Sequence, residues 1–219
     1  MDQVIRSRRK TIALIVKPDG SLLVRAPLRA PKAMIEEFVR KNARWIETKQ
    51  AEVRAAFPTT PREYVTGETF PYLGTTYPLE IVGEQQSPLL LDAGRFKLAA
   101  SRQSAAASTF ERWYREQARQ VLSSRVEFFA RQHGFQYRGL RITSARTRWG
   151  SCSASGSLSF SWRLILAPPE VADYVVIHEL VHTVHHNHSK RFWKGVEAVI
   201  PDYQEHRRWL REHGRKLLV

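Results

Sequence analysis

Between Thr11 and Val24 apolar and polar positions alternate. Ile12, Leu14 and Val16 share one face, and Leu22 and Val24 resume it after Lys17-Pro18-Asp19-Gly20. Proline presets φ and glycine tolerates a positive one, so this stretch predicts a β-hairpin. From Pro31 the period lengthens. Ile35, Phe38, Val39, Asn42, Trp45 and Ile46 predict a helix with one buried stripe, fading near Val53 to Phe57 before a Pro58–Pro61 linker. Residues 62–98 read as short strands at Tyr64-Val65, Tyr77 to Val82 and Leu89 to Leu91, punctuated by glycines.

Ser101 to Ala107 is small and polar, a loop or domain seam. Ser108 with Glu111 three residues on is the pattern of a capping box. It predicts a long helix carrying Phe110, Trp113, Tyr114, Val121, Leu122, Val126 and Phe129, stopped by Gly134. Leu140 to Thr147 and Leu158 to Leu166 predict two strands around a Gly/Ser-rich connection. One helix then runs from about Pro169 to His186, another from Ser189 to Pro201. A last one runs from a second capping box, Asp202 with Glu205, to Gly214. The order of elements predicts an α+β fold: a small β-rich lobe with one helix over residues 1–100, then a helical lobe with a short sheet over 101–219.

Composition narrows the class. A hydrophobic fraction of 42% excludes a disordered chain. No apolar run approaches the ~20 residues of a membrane helix, so no membrane contact is expected. The apolar stretch Ile12 to Val16 is too short for a signal-peptide core. A single cysteine, Cys152, excludes an intrachain disulfide and a cysteine-rich zinc module. A cytoplasmic location is the expectation. The net charge of +14 is uneven. Residues 1–50 hold twelve basic and five acidic groups, and residues 101–150 hold ten and three. Arg112, Arg115 and Arg119 fall on one side of the long helix, a stripe that could face phosphates of nucleic acid or a nucleotide. A solvated, solubilising surface explains the same charge.

The chemistry lies in Val175 to Trp193, which contains His178-Glu179-Leu180-Val181-His182. Two histidines four apart on a helix share one face, about 6 Å apart along the axis. Their imidazoles can converge on one zinc. Glu179 is turned about 100° from the first ligand and can reach a water on the metal without filling the coordination shell.

A third ligand is needed, and four residues compete. His185 shares the face but sits about 10.5 Å from His178 along the axis, which would strain a tetrahedron. His186 points elsewhere. Glu197 would supply a helix-borne carboxylate. His188 follows Asn187, a residue that tolerates a left-handed turn, and a five-residue gap lets the chain fold back. His188 is the favoured choice.

At this point the sequence resembles the bacterial YgjP-like metallopeptidase family, zincins similar to SprT-like and WLM-domain proteases. The resemblance rests on RRKTIALIVKPDGSLLVRAP near the N-terminus and RWGSCSASGSLSFSWRLILAPPEVADYVVIHELVH in the middle, followed by NHSKRFW and PDYQEHRRWL. It implies a zincin-like fold and zinc held by His178, His182 and His188. It implies Glu179 as catalytic base in the hydrolysis of protein or peptide substrates by a metal-activated water. Two positions depart from related patterns: Ser161, where the family has Asn before Trp162, and His185, where metzincins have Gly.

Around this core, Gly150 would let an extended substrate approach an edge strand. Cys152 could approach the zinc, though an inert, partly buried thiol is the simpler reading. Trp149 and Trp162 read as packing. Tyr203, His206 and Arg148 are candidates to polarise an oxyanion. Two rival functions share the metal site: hydrolysis of nucleotides or other phosphorylated substrates, and a nucleic-acid-associated protease or adaptor.

Overall fold

The computed structural model describes residues 3–17, 20–56 and 62–217, with backbone alone for 52–56. Pro18 and Asp19 of the hairpin turn and the Pro58–Pro61 linker lie outside the described residues. The chain forms two compact units, residues 1–61 and 62–218.

In the first unit, β2 (Ala13–Val16) and β3 (Leu22–Pro27) form the expected antiparallel hairpin, closed by Gly20 N–H on the Lys17 carbonyl at 2.9 Å. A further strand, β1 (Gln3–Ser7), pairs parallel to β3. Its side chains are almost all exposed, so no alternation announces it. The single expected helix is two, α1 (Lys32–Lys41) and α2 (Ala43–Ala56). They break at Asn42, whose side-chain amide donates to the Phe38 carbonyl at 2.7 Å. Leu22, Val24, Ala26, Ala30, Ile35 and Ile46 form the core of this unit.

The second unit begins with a four-stranded sheet, ordered β4 (Thr69–Tyr72), β5 (Thr75–Val82), β7 (Arg95–Ala99), β6 (Leu89–Asp92). Tyr64-Val65 is outside any strand. The seam expected at residue 100 falls within this unit. There β7 runs through a 3-10 segment, Ala100–Ala105, directly into α3 (Ala106–His133). Because α3 starts at Ala106, Ser108 is already helical, and its hydroxyl donates back to the Ala105 carbonyl instead of forming a capping box. Gly134 ends the helix with φ 72°, as expected. Phe110, Tyr114, Ala118, Leu122, Val126 and Ala130 give α3 a buried stripe at near four-residue spacing. Phe110 stacks on Phe70 of the sheet with centroids 4.1 Å apart.

A second sheet has the order β8 (Gly139–Thr143), β10 (Ser157–Ser161), β9 (Gly150–Cys152), with β10 parallel to β8 and antiparallel to β9. The apolar run expected to continue as strand to Leu166 coils into a 3-10 segment, Trp162–Leu166, buried on every side. Three helices follow: α4 (Pro169–Val181), α5 (Lys190–Glu197) and α6 (Tyr203–His213). Asp202 makes no capping bond to the backbone; its carboxylate pairs with His206 at 3.3 Å. Two contacts set where α4 begins and how it lies. Gly74, at φ +79° in the β4–β5 turn, packs so closely that a Cβ there would be 2.9 Å from Pro168 Cα. Arg125 of α3 makes a two-pronged ion pair with Asp173 of α4, both contacts at 2.6 Å. Among the described residues, no helix is long and apolar enough to cross a membrane.

Candidate metal centre and active site

Nine of the thirteen residues of α4 are buried, Val171, Val175, Val176, Ile177, Leu180 and Val181 among them. A helix apolar nearly all round is a core helix, and α4 serves as the fixed spine of the site. His178 lies in its last turn, and His182 takes the C-cap position with helical dihedrals. The expected extension to His186 does not occur. Thr183, Val184 and His185 bond back to the carbonyls of Leu180 and Val181 in tight turns. Asn187 does not adopt the left-handed conformation expected of it. Its side-chain oxygen instead accepts the Ser189 N–H at 3.3 Å, which steers the chain into α5. The returning loop carries His188 to the two helical histidines.

His178, His182 and His188 each offer a ring nitrogen, all within 4.8 Å of one another, and this is the metal-capable cluster among the described residues. His185, His186, Glu197 and Cys152 are not in it. The Nε2 atoms of His178 and His188 face each other at 3.0 Å. Nδ1 of His182 lies 3.0 Å from the His185 carbonyl. Since a carbonyl only accepts, Nδ1 carries the proton and Nε2 keeps its lone pair for a cation. His185 therefore enters the site through its backbone. Burial, then the charges of the other two histidines, push the His178 pKa down to about 3, and burial lowers that of His182. Both are held neutral, the form that binds metal.

A zinc ion fits this donor set. Zinc–nitrogen bonds of ~2.0–2.1 Å put tetrahedral imidazole nitrogens about 3.3 Å apart, near the 3.0 Å between the His178 and His188 nitrogens in a cluster that spans at most 4.8 Å. His178 Nδ1 is buried with no hydrogen-bond partner among the described residues, and its Nε2 confronts another ring nitrogen. A cation shared by the two facing Nε2 atoms gives both lone pairs a partner. Three protein ligands leave a fourth position open, the pattern of catalytic zinc.

Aromatic rings pack the cluster from one side. Phe192 of α5 is fully buried and lies 4.8, 4.4 and 4.8 Å from the rings of His178, His182 and His188. Trp193 stacks on His188, Tyr203 stacks on Trp193, and the Arg207 guanidinium covers Trp193 at 4.9 Å. Tyr203 is thus a buried member of a stack, and His206 is paired with Asp202. Phe192 and Trp193 stand in the NHSKRFW stretch. Their direct contact with the imidazoles was not readable from their spacing.

Glu179 is buried, 6% exposed, beside Gly150 of β9. Burial raises its carboxyl to about 7, against the lowering effects of the Cys152 backbone N–H and the Arg148 charge. The Cys152 thiol donates to the Ser153 carbonyl at 3.4 Å, and its pKa is raised by burial and then by Glu179. Trp149 packs against Gly214, and Trp162 is buried against Tyr114, so both are packing residues as expected. Ser161 holds the connecting loop at both ends. Its N–H donates to the Trp149 carbonyl and its hydroxyl to that of Ala145, each at 2.8 Å.

Three imidazoles converging beside a helix-borne His-Glu-x-x-His sequence, with a short sheet alongside, define a metal-dependent hydrolase of the zincin type. The YgjP-like metallopeptidase domain matches residues 10–213, and the chain belongs to that family. It is a zinc-dependent metallopeptidase acting on protein or peptide. The crystal structure of the metallopeptidase zymogen of Pyrococcus abyssi abylysin is similar over 43% of this chain and 96% of that one, at 25% identity and a TM-score of 0.39. No curated protein compared with the chain matches it.

Proposed function

We propose that His178, His182 and His188 are the zinc ligands and that Glu179 is the general base of the peptidase. The carrying observation is the convergence of three ring nitrogens within 4.8 Å beside a buried carboxyl that belongs to the same helix but not to the cluster. Zinc held there would acidify a water and polarise the scissile carbonyl. Glu179 takes the water's proton on a carboxylate oxygen and delivers it to the departing amine nitrogen.

The substrate strand would lie along β9. Ser161 N–H bonds the Trp149 carbonyl and Ser153 N–H bonds that of Ser157, so Trp149, Ser151 and Ser153 turn their backbone groups toward β10. Gly150 and the Cys152 carbonyl face the free edge, where an extended peptide can pair. The experiment is hydrolysis of dye-labelled casein by the zinc-loaded protein. Activity is expected, lost on chelation and restored by zinc; a fully zinc-loaded protein that leaves casein intact refutes the reading.

A second reading concerns the basic surface. Arg112, Arg115 and Arg119 line one open groove of about 690 Å³, with Glu111, Glu116 and Trp113. Arg115 is tied to Ser144 at 2.6 Å, while Arg112 and Arg119 are exposed. We propose that this groove contacts nucleic-acid phosphates. Hydrolysis of nucleotides is the weaker rival, because the all-histidine cluster lacks the carboxylates that magnesium-dependent chemistry uses. The single cysteine, unpaired, suits work in the reducing cytoplasm.

A further inference from the structure

We propose that Gly150 is a positioning residue for the Glu179 carboxylate, an assignment that rests on the peptidase reading above. A Cβ built at Gly150 would lie 2.6 Å from Glu179 Cγ, 2.6 Å from its Oε1 and 2.9 Å from Cδ. Real Cβ atoms do not approach so closely, and three consecutive side-chain atoms are involved. Moving the carboxylate tip alone would not relieve the contact; the whole side chain must swing. Glu179 is buried, so the swing changes what its carboxylate touches.

The same strand supplies a second hold. The Cys152 backbone N–H donates to the Glu179 carboxylate. Gly150 and Cys152 are two residues apart, and both direct their backbone groups off the free edge of β9. The carboxylate therefore rests on the Cα of one and is tethered by the N–H of the other.

The strand is itself held from behind. Trp149 packs on Gly214, where a Cβ would be 3.0 Å from the indole Cζ2, and the Trp149 carbonyl is held by Ser161 N–H at 2.8 Å. With β9 anchored on one side and α4 packed in the core on the other, the glutamate side chain is the part that gives way. A methyl group at 150 would displace the carboxylate and break its bond to Cys152, while leaving the three histidines untouched.

The test is Gly150→Ala, read by zinc content and by kcat on dye-labelled casein. Zinc should remain near one per chain while kcat falls at least about tenfold, as expected for a misplaced proton-transfer group. Wild-type kcat in the variant overturns the proposal. A stability cycle tests the contact independently. In zinc-loaded protein, Gly150→Ala should lower Tm by roughly 4–8 °C through overpacking. In a Glu179→Ala background, where the clashing atoms are gone, the loss should be under about 2 °C. Equal losses in both backgrounds overturn the proposal. Wild type that carries zinc but does not cleave casein refutes the peptidase reading instead, and the cycle still decides whether Gly150 places Glu179.

Discussion

The ring of Phe192 lies 4.4 Å from that of His182, and the same ring touches the other two histidines of the cluster. One fully buried side chain from α5 thus backs all three imidazoles. Phe192→Ala should remove both the apolar contact and the surface against which the rings rest. The expected cost is about 3–5 kcal/mol of unfolding free energy in denaturant titration. A competition titration should show zinc affinity at least about tenfold weaker. Phe192→Leu should recover most of the stability and less of the affinity, because a branched aliphatic cannot face three rings at once.

His182→Ala and His188→Ala should each lose most of the bound zinc, measured by metal analysis on purified protein. His185→Ala should keep it. The role of His185 is its carbonyl, which accepts the His182 Nδ1–H at 3.0 Å, and alanine provides the same carbonyl. Zinc lost from the His185 variant and retained by the His188 variant would reverse the ligand assignment.

Glu179→Gln should keep zinc and lower turnover of casein by roughly 10²–10⁴-fold. It should also change the pH dependence of stability in the zinc-free protein. The carboxyl ionises near 4.5 unfolded and near 7 folded. Its raised value favours the folded state at low pH, and that contribution is lost as pH rises through 7. The neutral amide escapes this loss. The variant should therefore be more stable than wild type at pH 8, by on the order of 3 kcal/mol. Most of the gain should vanish at pH 5. His178, lowered to about 3, acts in the other direction, losing stability as pH falls below 6.5. It is present in both proteins, so comparing their Tm values isolates Glu179.

Binding of a fluorescent single-stranded oligonucleotide should weaken steeply between about 50 and 200 mM salt. Replacing Arg112, Arg115 and Arg119 with Gln should reduce the slope of log K against log salt by about 2. Casein cleavage without nucleic acid should be unaffected. Absence of binding at the low-salt end would leave the groove a solubilising surface.

Much of this architecture is legible in local pattern. The β2–β3 hairpin shows in its alternation, the end of α3 in Gly134, and the metal helix in a His pair spaced four apart. The parts that escape are those held by distant partners. β1 is nearly all exposed and exists by pairing with β3. β9 is three residues long. Trp162–Leu166 is buried on all sides, where period cannot separate strand from coil. The early end of α4 depends on turn bonds to the Leu180 and Val181 carbonyls, and the Thr183 hydroxyl adds one more to Leu180 at 2.7 Å. Gly150 was readable as a place of close approach. That Glu179 is what approaches it depends on β9 lying against α4.

The three histidines differ in what carries them. His178 and His182 belong to a helix packed into the core, whereas His188 is exposed on the loop between α4 and α5. Opening the helical pair requires disrupting the core, a rare event; opening the loop does not. Metal exchange should then be stepwise, with His188 the first ligand to release and the last to bind. A chelator would meet an ion still held by two nitrogens and exposed on its third side. Its dissociation rate would follow the stiffness of the seven residues from Thr183 to Ser189, and change little with the global stability of the protein. Shortening or rigidifying that loop would slow zinc loss without any change of ligand.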